Sequence, residues 1–128
     1  MNRDIEFRIW ADNQFYYKCL VGNTNNIEDN NWTCPMVWLE DKKEWVNCDN
    51  GIIQQYTGLK DKNGKKIFEG DILIEYSNDI EYWVVSYEYG KFVGTCDNVS
   101  EDLYELSDLE VIGNIYENKE LLGDSNER

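Results

Sequence analysis

Gln55-Tyr56-Thr57-Gly58-Leu59-Lys60-Asp61-Lys62-Asn63-Gly64-Lys65-Lys66-Ile67-Phe68-Glu69-Gly70-Asp71 runs straight into Ile72-Leu73-Ile74-Glu75-Tyr76, and this stretch decides the fold. Asn63-Gly64 is the strongest hairpin signal in the chain. A two-residue type I′ turn needs positive φ at both central positions, which Asn and Gly tolerate. Gly58 relieves a tight bend between Tyr56 and Leu59, both natural core residues. In Phe68-Glu69-Gly70-Asp71 the glycine again permits a turn, and the flanking acids are placed to accept backbone N–H groups. The short, β-branched run that follows reads as a strand.

Working outward, strands predominate. Ile5, Phe7 and Ile9 alternate with Glu6, Arg8 and Trp10, the pattern of a half-buried strand, and a turn-prone Asp12-Asn13 leads into Phe15 through Val21, predicting a hairpin. Residues 22–31 hold five Asn and read as a loop. Met36 to Leu39 and Trp45-Val46 flank a charged turn. Ile52 to Tyr56 form another strand, and Tyr82 to Tyr87 pairs with Lys91 to Thr95 around Glu88-Tyr89-Gly90. Leu109 to Tyr116 reads as a strand whose Gly113 marks a bulge or a close backbone approach. Only Leu103 to Leu106 and Asn118 to Leu122, stopped by Gly123, look helical. Many short strands joined by turns imply a barrel or a sandwich.

Composition narrows the chemistry. The 128 residues carry 12 Lys plus Arg, 26 Asp plus Glu and no His, for a formal charge of −14. Without His the usual general base, the Ser-His and Cys-His nucleophiles and His-containing zinc sites are excluded. Such acidity argues against direct nucleic-acid binding, whose affinity comes from Lys and Arg on phosphate. Residues 71–128 alone hold 15 acids against 3 bases, a charge of −12. Within them Glu101-Asp102-Leu103-Tyr104-Glu105-Leu106-Ser107-Asp108-Leu109-Glu110 mixes acids and apolar residues so that the acids line a solvated face.

Cys19, Cys34, Cys48 and Cys96 match neither a C-x-x-C redox motif nor paired zinc knuckles. With no apolar leader at the N-terminus and no membrane-length apolar run, a cytoplasmic protein with reduced thiols is expected.

Three blocks carry a resemblance: Ile5 to Trp10, Gln55 to Asp71, and Val111-Ile112-Gly113-Asn114-Ile115-Tyr116-Glu117-Asn118 with Leu121-Leu122. Together, and in this order, they resemble the YopX family of phage and prophage proteins. The blocks cover about a quarter of the chain and bracket nearly all of it. The resemblance implies a mainly β protein whose core is an SH3-like barrel, with an irregular β-rich N-terminal portion and a short C-terminal helix packed by Leu121 and Leu122. It implies one domain over residues 1–123 with a frayed tail at 124–128, in the cytoplasm of a host bacterium, and no established biochemical activity.

Glu69 and Asp71 are the best carboxylate pair for metal-assisted hydrolysis, since two acids around a glycine can converge and split their pKa values. Turn capping is the simpler role, and no catalytic residue, metal ligand or cofactor is expected. Trp32, among polar neighbours in the Asn-rich loop, is a candidate binding anchor. With Glu101, Asp102, Glu105 and Asp108 it points to a non-enzymatic module that binds a basic host or phage protein, with no membrane contact. Mimicry of DNA by rows of carboxylates is the alternative. Short aromatic strands also leave sheet edges for self-association.

Overall fold

The computed structural model describes residues 5–21 and 35–123. The chain is mainly β, and its contacts divide it into two compact units, Ile5–Gln55 and the residues from Tyr56 onward. No helix among the described residues is long and apolar enough to cross a membrane.

In the first unit β1 (Phe7–Ala11) pairs antiparallel with β2 (Gln14–Tyr16) on one side and with the opening of β6 (Ile52–Lys60) on the other. Asp12 and Asn13 between them have φ of 55° and 64°, the type I′ geometry that matches strand twist. The single strand expected over Phe15 to Val21 is instead divided. β2 stays on β1, whereas β3 (Cys19–Leu20) joins β4 (Met36–Leu39), which pairs with β5 (Glu44–Asn47). Exposed Tyr17 and Lys18 break the run, because it carries no alternation that would hold it in one register. Lys18 anchors the switch by accepting the Trp38 N–H at 3.0 Å on its carbonyl.

Arg8 departs from the alternation that assigned it to the polar face. It is only 3 % exposed, its guanidinium lies 4.0 Å from the Phe15 ring centroid, and its Nε donates to Gln54 Oε1 at 2.9 Å. Both faces of β1 are therefore in use.

The second unit is built on an antiparallel five-stranded sheet that curls into a half-barrel. Its order is β11 (Val99–Asp102), β10 (Lys91–Cys96), β9 (Ile80–Glu88), β8 (Asp71–Tyr76) and β12 (Glu110–Asn114). β7 (Lys66–Phe68) pairs with the second half of β6. The core gathers Ile67, Leu73, Trp83, Val85 and Val111, and α1 (Leu103–Leu106) adds Leu103 and Leu106. The C-terminal helix is a single 3-10 turn, Lys119–Leu122, ended by Gly123, and Leu121 and Leu122 are half-buried rather than core.

The hairpin at Asn63-Gly64 forms, but not as type I′. Only Gly64 has positive φ (84°), and its N–H donates to Asp61 O at 3.0 Å. This is a type I turn followed by a left-handed glycine. The Asp61 carboxylate selects it: Oδ1 accepts from the Asn63 and Lys65 N–H groups at 2.8 and 2.9 Å, while Oδ2 accepts from Val111 N–H at 2.9 Å, 50 residues away. Lys62 N–H donates to Leu109 O at 3.1 Å beside it. Burial raises the Asp61 carboxyl, but the bonds from Val111, Lys65 and Asn63 and the Lys65 charge outweigh it and hold the group below the ordinary carboxylate value.

Asp61→Asn turns one oxygen into a donor facing a backbone N–H. A loss of about 1–3 kcal/mol in urea unfolding at pH 7 is expected. A folded pKa below the unfolded value of about 3.9 contributes stability that is complete above that value and disappears as pH falls through the folded one. The gap between Asp61→Asn and the parent should therefore shrink on acidification. A gap that stays constant from neutral to strongly acid pH would show that the carboxylate charge is not what holds the turn.

Candidate functional site

The residues of the resemblance serve the architecture. Thr57 Oγ1 donates to Ile67 O at 2.7 Å and accepts from Leu59 N–H at 3.2 Å, patching the ladder where the β6–β7 register slips. Asp71 is only 2 % exposed, and its Oδ2 accepts from Phe68 N–H at 2.8 Å, the capping role expected of an acid beside Gly70. Gly113 sits where the β12–β8 register shifts, and a Cβ there would lie 2.4 Å from Asn118 Oδ1, so it is both a bulge and a close approach. Asn114, buried beside it, accepts from Tyr116 and Glu117 N–H groups at 3.0 and 2.9 Å.

Glu69 and Asp71 thus belong to one turn, Asp71 facing the backbone and Glu69 half-buried. No group of three or more Cys, Asp or Glu converges among the described residues. Cys19, Cys48 and Cys96 are free thiols. Burial pushes all three up, Cys48 adding to it at Cys19, Asp12 and Asp49 at Cys48, and Glu81, Asp97 and Glu75 at Cys96. A raised thiol is a poor nucleophile.

The first unit carries a groove of about 640 Å³ lined by Phe15, Tyr16, Tyr17, Lys18, Trp38 and Glu40. Its main ring is already engaged. Lys18 Nζ sits 4.1 Å from the Trp38 centroid, Trp38 Nε1 donates to Glu40 Oε1 at 2.8 Å, and Trp45 packs edge-on at 5.4 Å. Trp32 and Cys34 lie outside the described residues.

Glu101, Asp102, Glu105 and Asp108 are all exposed, while Leu103 and Leu106 between them point into the core. They come from three local structures: Glu101 and Asp102 from edge strand β11, Glu105 from α1, and Asp108 from the turn before β12. Lys91 Nζ pairs with Asp102 Oδ1 at 2.6 Å. Glu101, Glu105 and Asp108 make no side-chain hydrogen bond or ion pair among the described residues. β10 and β11 are antiparallel, with Val93 opposite Asp102 and Gly94 opposite Glu101, while the tip of the β9–β10 hairpin is at Tyr89 and Gly90. Tyr87 and Tyr89 at that tip and Tyr104 on α1 are exposed. Sequence reasoning found the acids from their spacing with Leu103 and Leu106 but missed the tyrosines, which carried no signal apart from lying near a turn.

A mainly β protein of two small units, pinned by buried carboxylate and amide side chains and bearing an acidic end, is the class this geometry defines. The chain matches the YopX protein family over residues 6–123 and belongs to it. It is similar to protein EF1440 from Enterococcus faecalis at 25% identity, over 94% of this chain and 99% of that one, with a TM-score of 0.62. Protein yopX from Bacillus subtilis shares its fold at 20% identity, over 91% and 97% of the two chains, with a TM-score of 0.64. No curated protein sequence matches it.

One substitution tests the architectural role of this turn. Asp71→Ala should lower stability by about 1–3 kcal/mol by stranding the Phe68 N–H. Thermal unfolding checks this. A loss within about 0.5 kcal/mol, the size of an ordinary surface substitution, would leave Asp71 without its capping role.

Proposed function

We propose that the chain is a non-enzymatic phage accessory protein that acts in the host cytoplasm by binding another protein through the acidic end of its second unit. The curled sheet, with α1 against its core, serves as an SH3-like barrel that holds this surface rigid. What carries the reading is the set Glu101, Glu105 and Asp108: exposed, without cationic partners, and fixed by a strand, a helix and a turn whose neighbours are buried. Carboxylates held in place on a firm scaffold give electrostatic complementarity to a basic partner, raising association rate and selectivity. A basic host or phage protein is the partner this chemistry fits, and membranes and nucleic acid are not. Protein binding suits the acids better than mimicry of DNA, because acids spread over β11, α1 and a turn form no continuous row.

Pull-down from host lysate at low salt, followed by mass spectrometry, tests the proposal when parent and a Glu101→Gln, Asp102→Asn, Glu105→Gln, Asp108→Asn variant are run side by side. Basic proteins should be retained by the parent, released at higher salt, and absent from the variant. Identical retention by the two would sink it.

A further inference from the structure

Asn63 and Gly64 lie at the exposed tip of the β6–β7 hairpin, and the Asn63 side-chain amide makes no hydrogen bond among the described residues. Nothing stands within 4 Å of where a Gly64 Cβ would be. In an asparagine–glycine pair the following backbone nitrogen reaches the side-chain carbonyl carbon with the least obstruction, because glycine has no side chain to block the approach. Exposed Lys62 and Lys65 flank the pair, and positive charge favours a deprotonated nitrogen. Against this, the Gly64 N–H is held by Asp61 O at 3.0 Å, and the Asp61 carboxylate fixes the N–H groups on either side, at Asn63 and Lys65. A nitrogen that donates a hydrogen bond within a fixed turn keeps its proton and its position until the turn opens locally.

We propose that Asn63 is a site of self-modification whose rate is set by the Asp61 clamp. When the turn opens, the Gly64 nitrogen gives its proton to solvent and bonds to Asn63 Cγ, the side-chain nitrogen leaves as ammonia, and a succinimide ring closes. Water then opens the ring at one carbonyl or the other, leaving aspartate or isoaspartate at position 63, and no other reactant is consumed. The isoaspartyl product carries an extra methylene in the main chain between the two N–H groups that share Asp61 Oδ1, so the two no longer fit one oxygen. Because Oδ2 of the same carboxylate holds Val111 N–H at 2.9 Å, the modified tip loosens its join to β12. The chain has one other asparagine–glycine pair, Asn50-Gly51, and packing closes it. Gly51 N–H donates to Cys48 O at 3.2 Å, and a Cβ on Gly51 would lie 2.4 Å from Ile9 Cγ2 and 2.8 Å from Cys48 Sγ.

Peptide mapping by mass spectrometry of the full chain, aged at mildly alkaline pH, tests this with parent, Asp61→Ala, Asp61→Asn and Asp71→Ala run together. Asp71→Ala loses a backbone hydrogen bond in the same unit without touching the clamp, so it reports what general destabilisation does. Conversion of the Asn63 amide to acid should run about five- to a hundredfold faster in Asp61→Ala than in the parent, the ratio that corresponds to losing hydrogen bonds to a charged acceptor. Asp61→Asn, which keeps one acceptor oxygen, should fall between them, and Asp71→Ala should stay close to the parent. Asn50 should convert more slowly than Asn63 in every sample, and the Val111 amide of the aged parent should exchange with solvent faster than that of the fresh protein. Equal rates at Asn63 in parent and Asp61→Ala, or equal acceleration in Asp61→Ala and Asp71→Ala, overturns the control by Asp61. Asn63 left intact in every sample, or Asn50 converting ahead of it, overturns the site itself.

Discussion

The Asp61 carboxylate is the constraint on which the second unit depends. It ties its own hairpin through two backbone N–H groups and reaches Val111 through a third, joining the tip between β6 and β7 to the start of β12. Removing a carboxylate from water costs several kcal/mol. Three charge-assisted bonds at about 1.5–3 kcal/mol each are of the size needed to offset that. The result is directional in a way apolar packing is not, because only one placement of β12 brings the Val111 N–H to Oδ2. Asp71 and Asn114 repeat the device on a smaller scale, and Ile115 N–H donates to Gly70 O at 2.9 Å between them.

How much of this could be read from the sequence depends on the range of the interaction. The hairpin at Asn63-Gly64, the capping acid beside Gly70 and the bulge at Gly113 are local, so residue type and spacing reveal them. Asn-Gly alone points to type I′, but the Asp61 side chain competes for the same N–H groups and favours a type I turn. The bond to Val111 spans 50 residues and leaves no trace in any window. Arg8 departs from its pattern for a related reason: period-two alternation assigns one face to solvent, and nothing local shows that Phe15 and Gln54 cover that face as well. Of the candidate site, the acids follow from their offsets to Leu103 and Leu106. That they come from an edge strand, a helix and the turn before β12 follows only from the fold.

The blocks that carry the family resemblance are the segments that fasten the fold. Thr57, Asp61, Asp71, Gly113 and Asn114 each satisfy backbone groups or permit a close approach. Membership of the YopX family therefore specifies an architecture more directly than an activity, since function belongs to sites placed on a fold. The acidic end lies outside those blocks.

An edge strand needs charge for a reason unrelated to any partner. β11 is the last strand of its sheet, and acids at Glu101 and Asp102 discourage a second chain from pairing along it. That accounts for two of the four carboxylates. Glu105 on α1 and Asp108 in the following turn present no unpaired ladder, so edge protection does not call for them. Nor is solubility a sufficient reason, because Asp79, Glu81, Glu88 and Asp97 already supply exposed negative charge in the same unit. Like charges held near one another work against the compact state. The acids beyond the edge therefore add to an electrostatic cost that neither edge protection nor solubility requires, and a cationic group brought against them would relieve it.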